Sequence, residues 1–208
     1  MKPAVFLIIS VWISLPGFGQ LRDSVELYVN GAVRGKGKVL QGKKEGTWIF
    51  YYPDGAISGE EDYVQGQLHG TVLSNYPDGS RQSQETWLQG MLQDSAWYYH
   101  PGGALERKGL YHQGRYQGTW HYFYSNGNPD RVVRYVEGFP EGEVLVYAET
   151  GVLIQHGYYT KGMEDGLWKF FDAEGRIQYE GNYQMGKRTG VWYTYTRKGQ
   201  RKVWKYND

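Results

Sequence analysis

The sequence contains no cysteine and has almost no net charge, and both absences narrow what the protein can be. Without cysteine, a disulfide framework, a thiolate zinc site, a cysteine nucleophile and a lipidated-cysteine anchor are all excluded. With 23 Lys plus Arg against 22 Asp plus Glu, the chain has no overall attraction for nucleic acid or anionic lipid. We therefore expect no nucleic-acid partner.

Long apolar runs are also missing, apart from one at the N-terminus. Residues 1–19 combine a basic residue, an apolar stretch and a small-x-small pattern that ends at Gly19. The stretch holds about a dozen apolar residues, fewer than the ~20 that span a bilayer, and the three-part pattern is typical of a secretory signal peptide. The alternatives are a buried strand or a short membrane anchor. We predict cleavage before Gln20 and a secreted or periplasmic chain over residues 20–208, without a transmembrane segment.

Glycine and aromatic residues are abundant instead, with 30 Gly, 20 Tyr and 8 Trp. This combination argues against disorder, which is poor in aromatic residues, and against helices, which glycine destabilises. Three series of glycines recur every 24 residues. The first series is Gly55, Gly79, Gly103, Gly127, Gly151, Gly175 and Gly199; the second is Gly42, Gly66, Gly90, Gly114, Gly138, Gly162 and Gly186; the third is Gly46, Gly70, Gly118, Gly142, Gly166 and Gly190, with Asp94 in the missing place. A period of this length predicts one array of stacked units, about seven with a partial unit before them.

Each unit has the pattern of a β-hairpin. Runs such as TWIFYY (47–52) and VWYTYT (191–196) have the aromatic and β-branched composition of strands. The first glycine series follows Asn or Asp in several units, which favours type I′ turns with positive φ at both central residues. The second and third series enclose G-x-x-x-G loops, where Gly, or Asp94, accepts a left-handed backbone. We predict an all-β fold, an elongated single-layer antiparallel sheet of consecutive hairpins.

The unit G-x-W-x-x-Y-x-x-x-G-x(7)-Y-x-x-G resembles the MORN repeat, in particular its bacterial variant. In one unit the matching residues are Gly46, Trp48, Tyr51, Gly55, Tyr63 and Gly66. The resemblance covers about residues 22–206, although Val72 and Val144 stand where the pattern has Trp. It implies a sheet of MORN-like hairpins that serves protein contacts, in some relatives phospholipid head groups, and in proteins often given an antitoxin label.

Two aromatic columns follow the same period. The first is Tyr63, Trp87, Tyr111, Tyr135, Tyr159 and Tyr183; the second is Trp48, Val72, Ala96, Trp120, Val144, Trp168 and Trp192. Regular spacing predicts that both columns pack ring against ring as the core. The alternative is an exposed aromatic track that stacks on sugar rings or on an extended peptide.

Basic residues are concentrated near the C-terminal end. They are Lys187, Arg188, Arg197, Lys198, Arg201, Lys202 and Lys205. Such charge discourages edge-to-edge pairing by the last strand of an open sheet. The alternative is a basic patch that docks on an acidic partner or on lipid head groups.

Catalytic and metal-binding patterns are missing from the sequence. The five histidines fall at five different positions of the repeat, so they are expected to be solvated surface residues without zinc-site spacing. Neither a nucleophile elbow nor a phosphate-binding loop occurs. We expect no enzyme, metal or cofactor, and predict a non-catalytic scaffold that binds a protein, or a glycan, along an aromatic face. The alternatives are an antitoxin-like protein that neutralises a partner toxin and a phospholipid head-group module.

Overall fold

A computed structural model describes residues 19–204, so the predicted signal peptide, except its last residue, and Lys205 lie outside the described residues. Within them the chain forms seventeen β-strands and no helix. The strands are β1 (Arg22–Leu27), β2 (Val33–Leu40), β3 (Lys43–Tyr51), β4 (Ile57–Val64), β5 (Gln67–Asn75), β6 (Arg81–Leu88), β7 (Met91–Tyr99), β8 (Leu105–His112), β9 (Arg115–Phe123), β10 (Pro129–Val136), β11 (Phe139–Tyr147), β12 (Leu153–Thr160), β13 (Met163–Glu164), β14 (Gly166–Phe171), β15 (Ile177–Gln184), β16 (Lys187–Tyr195) and β17 (Arg201–Trp204). This part of the chain therefore holds no helix that could cross a membrane.

Apart from β13, each strand pairs antiparallel with the strand that follows it, which makes one continuous meander. The short β13 and β14 share β12 as their partner and are interrupted at Asp165. A long strand and a shorter one alternate, two in each 24-residue unit. The predicted all-β sheet of consecutive hairpins is confirmed.

The first glycine series lies at one edge of the sheet, called edge A, where the turns have three residues, as at 53–55. Tyr52 donates its backbone N–H to Ala56 O at 2.8 Å, and Gly55 donates to Tyr52 O at 2.9 Å. Positive φ occurs at Gly55 (92°) and not at Asp54. The prediction of a type I′ turn here is therefore wrong. Asp54 is favoured for another reason, because its carboxylate accepts the N–H of Ala56 at 3.0 Å.

The type I′ geometry lies at the opposite edge, edge B, in the two-residue turns of the second glycine series. Gln41 (φ 52°) and Gly42 (φ 77°) connect β2 to β3 with positive φ at both positions, and the same holds at each later turn. A non-glycine residue is thus held in the left-handed region in every unit. The next turn is fixed to this one, because Gly66 donates its N–H to Lys44 O at 2.9 Å.

The third glycine series marks a bulge in each long strand, three residues after the edge-B turn. Gly46 has φ 68°, and Asp94, the substitute in this series, has φ 60°. The strand register shifts here, as between Lys36 and Lys38 of β2 against β3. Between the edge-B turn and the bulge, Leu92 and Tyr116 pack against the buried aromatic residues of the same face. The bulges therefore let the edge-B end of each hairpin cover the core.

Candidate binding face

The buried core of the sheet is one column of side chains on one face, called the inner face. Its members are Trp48, Val72, Ala96, Trp120, Val144, Trp168 and Trp192, all at most 5% exposed. This is the second column described from the sequence, and we call it the tryptophan column. Three of its indoles donate Nε1–H to a backbone carbonyl ten residues earlier, at 2.9–3.1 Å. The column is therefore packed and hydrogen-bonded, and not an exposed track.

Each tryptophan of the column lies over a glycine of the preceding strand. A Cβ atom added to Gly109 would stand 2.3 Å from the Trp120 ring, and one on Gly157 would stand 2.2 Å from Trp168. Where the column has a smaller residue, the glycine is replaced by a larger one. The opposing residues, from the first unit to the last, are Gly37–Trp48, Glu61–Val72, Glu85–Ala96, Gly109–Trp120, Val133–Val144, Gly157–Trp168 and Gly181–Trp192.

The exchange of side-chain volume between these paired positions is visible in the sequence when units are compared at 24-residue intervals, but sequence reasoning missed it. Its signal is a glycine outside the three series, eleven residues before each tryptophan of the column. In two consecutive units the exchange places a carboxylate, Glu61 or Glu85, in the middle of the inner face. We call residues 58–98 the polar segment.

The tyrosine ladder, Tyr63, Trp87, Tyr111, Tyr135, Tyr159 and Tyr183, lies beside the tryptophan column on the same face. Ring centroids of Tyr111 and Trp120 are 5.0 Å apart, and those of Tyr183 and Trp192 are 5.1 Å apart. Tyr111 is 8% exposed, and the other ladder members are half-buried. Burial raises the pKa of Tyr111, with the neighbouring phenol of Tyr98 adding to the shift. The ladder contributes packing along its length.

The two inner-face carboxylates of the polar segment, those of Glu61 and Glu85, accept hydrogen bonds from aromatic side chains. Tyr63 donates its hydroxyl to Glu61, and Glu85 accepts from Trp87 Nε1 at 3.1 Å and from the Tyr98 hydroxyl at 2.6 Å. Burial and the hydrogen bond to Glu85 raise the pKa of Tyr98. No cation lies within ion-pair distance of either carboxylate in residues 19–204.

Edge A is fixed by a side chain in its first five units, an arrangement we call the tyrosine clamp. Each member bonds to the backbone carbonyl 23 residues later, at 2.7–2.9 Å. The members are Tyr28, Tyr52, Tyr76, His100 and Tyr124. His100, expected to be solvated, is instead half-buried, with Nε2 as the donor to Phe123 O. Ala148, Asp172 and Thr196 follow at this position and have no side chain that makes this bond.

The predicted basic residues do not form one patch. Lys187 and Arg188 begin β16, whereas Arg197 and Lys198 follow its other end, about 25 Å away at ~3.3 Å per residue. The Arg188 guanidinium lies 4.8 Å from the ring centroids of both Trp192 and Trp204.

At the other end of the array, Lys44 holds the position that corresponds to Arg188. Its Nζ lies 4.3 Å from the Trp48 ring centroid and 3.1 Å from Glu26. A cation therefore covers the aromatic core at both ends of the sheet.

The last hairpin differs from the others in register. Trp192 pairs with Trp204 without the bulge that elsewhere follows edge A, so β17 is shifted by one residue. A one-residue shift exchanges the two faces of a strand, and this one brings the Trp204 ring 6.0 Å from Trp192. Arg201 then lies over the Tyr193 ring at 4.1 Å, and Lys202 pairs with Thr194. The last strand thus caps the core.

Three polar cavities lie along edge A. The first, of about 500 Å³, includes Tyr28; the second, of about 360 Å³, includes His100; the third, of about 320 Å³, includes Asp172. These three residues are 72 positions apart, which is three units, so the cavities recur at one position of the repeat. Residues 19–204 bring no three histidine or acidic side chains together as a metal site. The arrangement offers polar and aromatic contacts for binding.

Comparisons with known proteins agree with the repeat. The family model described as "MORN repeat variant" matches residues 44–65 and 164–185, segments that start five units apart. No curated protein matches the chain.

Among solved structures, similar chains occur in the TcdB2-TccC3-Cdc42 complex (13% identity, TM-score 0.20), in a porin-like protein from Bacteroides uniformis (9%, 0.20) and in the Photorhabdus luminescens Tc holotoxin pore (12%, 0.18). The aligned part covers 84%, 90% and 87% of this chain, and 13%, 94% and 12% of the other chains. The chain thus spans about an eighth of the two toxin chains, and TM-scores of this size carry no functional information. Two segments in one register of 24-residue hairpins thus match the MORN repeat variant.

Proposed function

We propose that the protein is an extracytoplasmic scaffold without catalytic activity that binds a protein partner along its inner face. The observation that carries this proposal is the row of three cavities at one repeat position. Two strands per unit at ~4.8 Å each place neighbouring cavities about 30 Å apart. A row of about 60 Å suits the surface of a protein or a long extended segment, and it exceeds the reach of one small ligand.

The side chains of the middle cavity support a protein partner. The Arg107 guanidinium lies 4.1 Å from the Tyr98 ring centroid, and Arg131 lies 4.3 Å from that of Tyr122. Arginine and tyrosine are enriched among the residues that contribute most to protein interfaces. Packing in the array already orders both rings, so binding a partner would cost little of their side-chain entropy.

Two adjacent residues provide a matched test, because Arg107 pairs with Tyr98 on the inner face and Lys108 pairs with Trp97 on the outer face. A photo-crosslinking amino acid at position 107 should capture a partner in intact cells of the source organism, and the same group at position 108 should not. Equal capture from both positions, or from 108 alone, would show that the inner face is not the binding surface.

Export is the second part of the proposal, and it is supported by the three-part pattern of residues 1–19. Mass spectrometry of the chain produced in a Gram-negative host should find Gln20 as the first residue, in the periplasm or the medium. An intact Met1 in the mature fraction would contradict export.

Two other functions are outcomes of the same experiments. If the protein crosslinked at position 107 is a toxin whose activity the chain suppresses, the antitoxin-like function holds. Binding to anionic vesicles instead of a protein would favour the phospholipid module, but the division of the basic residues between the two edges gives that function less support.

A further inference from the structure

The first cavity of the row lies where a bulky side chain is missing from the polar segment. Ser74 lines the cavity and stands at the repeat position that holds Phe50, Tyr98 or Phe170 in other units. The resulting space of about 500 Å³ extends over β2 to β6 on the inner face. Small-molecule sites commonly have volumes of roughly 300–1,000 Å³.

The charges around this cavity balance one another. Lys44 Nζ lies 3.1 Å from Glu26, and Arg34 lies 3.4 Å from the same carboxylate. Glu61 supplies a second carboxylate, held by the Tyr63 hydroxyl. Two cations and two anions leave no net charge around the cavity, which favours a neutral ligand over an ion.

Hydrogen-bonding capacity remains on the cavity walls. The hydroxyls of Ser58 and Ser74 and the amide of Gln82 line the cavity, and none of them bonds to another group within the described residues. Hydroxyls and an amide both donate and accept. Phe50 also lines the cavity, with Lys44 Nζ 4.5 Å from its ring centroid. A neutral ligand with several hydroxyls matches this inventory.

We infer that this cavity binds a neutral saccharide unit through Ser58, Ser74, Gln82 and Glu61. Glu61 is oriented by Tyr63, so its second oxygen accepts hydroxyl protons from the sugar. The site does not depend on the protein-binding function proposed above, because it lies at one end of the row and needs one ligand ring only.

The test uses the purified chain and methyl glycosides of glucose, galactose, mannose and N-acetylglucosamine at millimolar concentration. Saturation-transfer NMR should detect binding of at least one of them. Ser74→Tyr restores the ring found in other units, so the chain should fold as before and lose the signal. Gln82→Ala should weaken binding by about tenfold, since one hydrogen-bonding partner is lost.

Gln178→Ala is the matched control, because Gln178 holds the same repeat position as Gln82 but lines the third cavity. It should leave saccharide binding unchanged. The inference falls if no glycoside gives a signal, or if the signal survives both Ser74→Tyr and Gln82→Ala in chains with wild-type melting temperature. It also falls if inorganic phosphate or a lysine tripeptide, but no glycoside, gives a signal that Gln82→Ala removes.

Discussion

The units that contain a tryptophan and the polar segment solve the same packing problem in different ways. In the first kind, the indole fills the inner face and requires a bare glycine beneath it, as with Trp120 over Gly109. In the polar segment, small residues fill less space and a carboxylate takes the place of the glycine, as with Ala96 beside Glu85. The first arrangement maximises buried apolar surface, whereas the second leaves polar groups and a cavity available for a ligand.

The largest effect should come from removing an indole from the tryptophan column. Trp120→Ala should lower the free energy of unfolding by about 3–5 kcal/mol, since the fully buried ring leaves a cavity. Val72→Ala, at the same position in the polar segment, should cost less than half as much, because fewer atoms are removed. Urea unfolding followed by circular dichroism measures both. Equal losses would show that the two kinds of unit do not differ in their dependence on the column.

A second test exchanges one arrangement for the other. Gly109→Val alone should destabilise by about 1–3 kcal/mol, because its Cβ would stand 2.3 Å from the Trp120 ring. Adding Trp120→Val copies the Val133–Val144 pair already present in the array. The double variant should be more stable than the sum of the two single changes predicts, by at least about 0.5 kcal/mol. Strict additivity in the same unfolding measurements would mean that the two positions are not coupled.

Most of the fold was predictable from the sequence, because the glycine register fixes the hairpins and their order. Turn chemistry was assigned to the wrong series, since Asp54-Gly55 has the composition of a type I′ turn while Gln41-Gly42 does not. In the array, Gly66 N–H binds the carbonyl of Lys44, so the left-handed Gln–Gly turns are supported by the neighbouring unit. This contact joins two neighbouring turns, so local turn propensity could not predict it.

Less of the candidate site could be predicted from the sequence. The aromatic columns were visible as a period, but the one-residue shift that brings Trp204 onto Trp192 depends on the absence of a single bulge. The first cavity also required the structure, because it arises from what Ser74 leaves unfilled.

Alkaline pH tests the tyrosine ladder in both kinds of unit, because burial raises the pKa of Tyr111 and also that of Tyr63 in the polar segment. Burial raises the pKa of Tyr111 above its value in the unfolded chain, near 10, so this residue stays protonated while the unfolded state ionises. Its contribution is complete below pH ~10, and above it stability falls by up to about 1.4 kcal/mol per pH unit. Trp87, the ladder member between Tyr63 and Tyr111, has no ionisable group and adds no such dependence.

The control for this pH effect is Tyr111→Phe. It should reduce the slope of the unfolding free energy against pH, between pH ~10 and ~11, by the contribution of one tyrosine ionisation. An unchanged slope would mean that Tyr111 titrates normally in the folded chain.

The smallest expected effect concerns the tyrosine clamp, and it compares the two kinds of unit directly. Tyr76→Phe removes the hydroxyl that donates to Tyr99 O at 2.8 Å, and Tyr124→Phe removes the one that donates to Tyr147 O at 2.9 Å. Each loss should cost about 1 kcal/mol. Tyr76 lies within the polar segment, where the tryptophan column has only Val72 and Ala96, so its loss should also raise local amide hydrogen exchange in β5 to β7 more than Tyr124→Phe does in β9 to β11. If exchange rises equally in both regions, the clamp acts independently of the core beneath it, and the polar segment is held as firmly as the units that contain tryptophan.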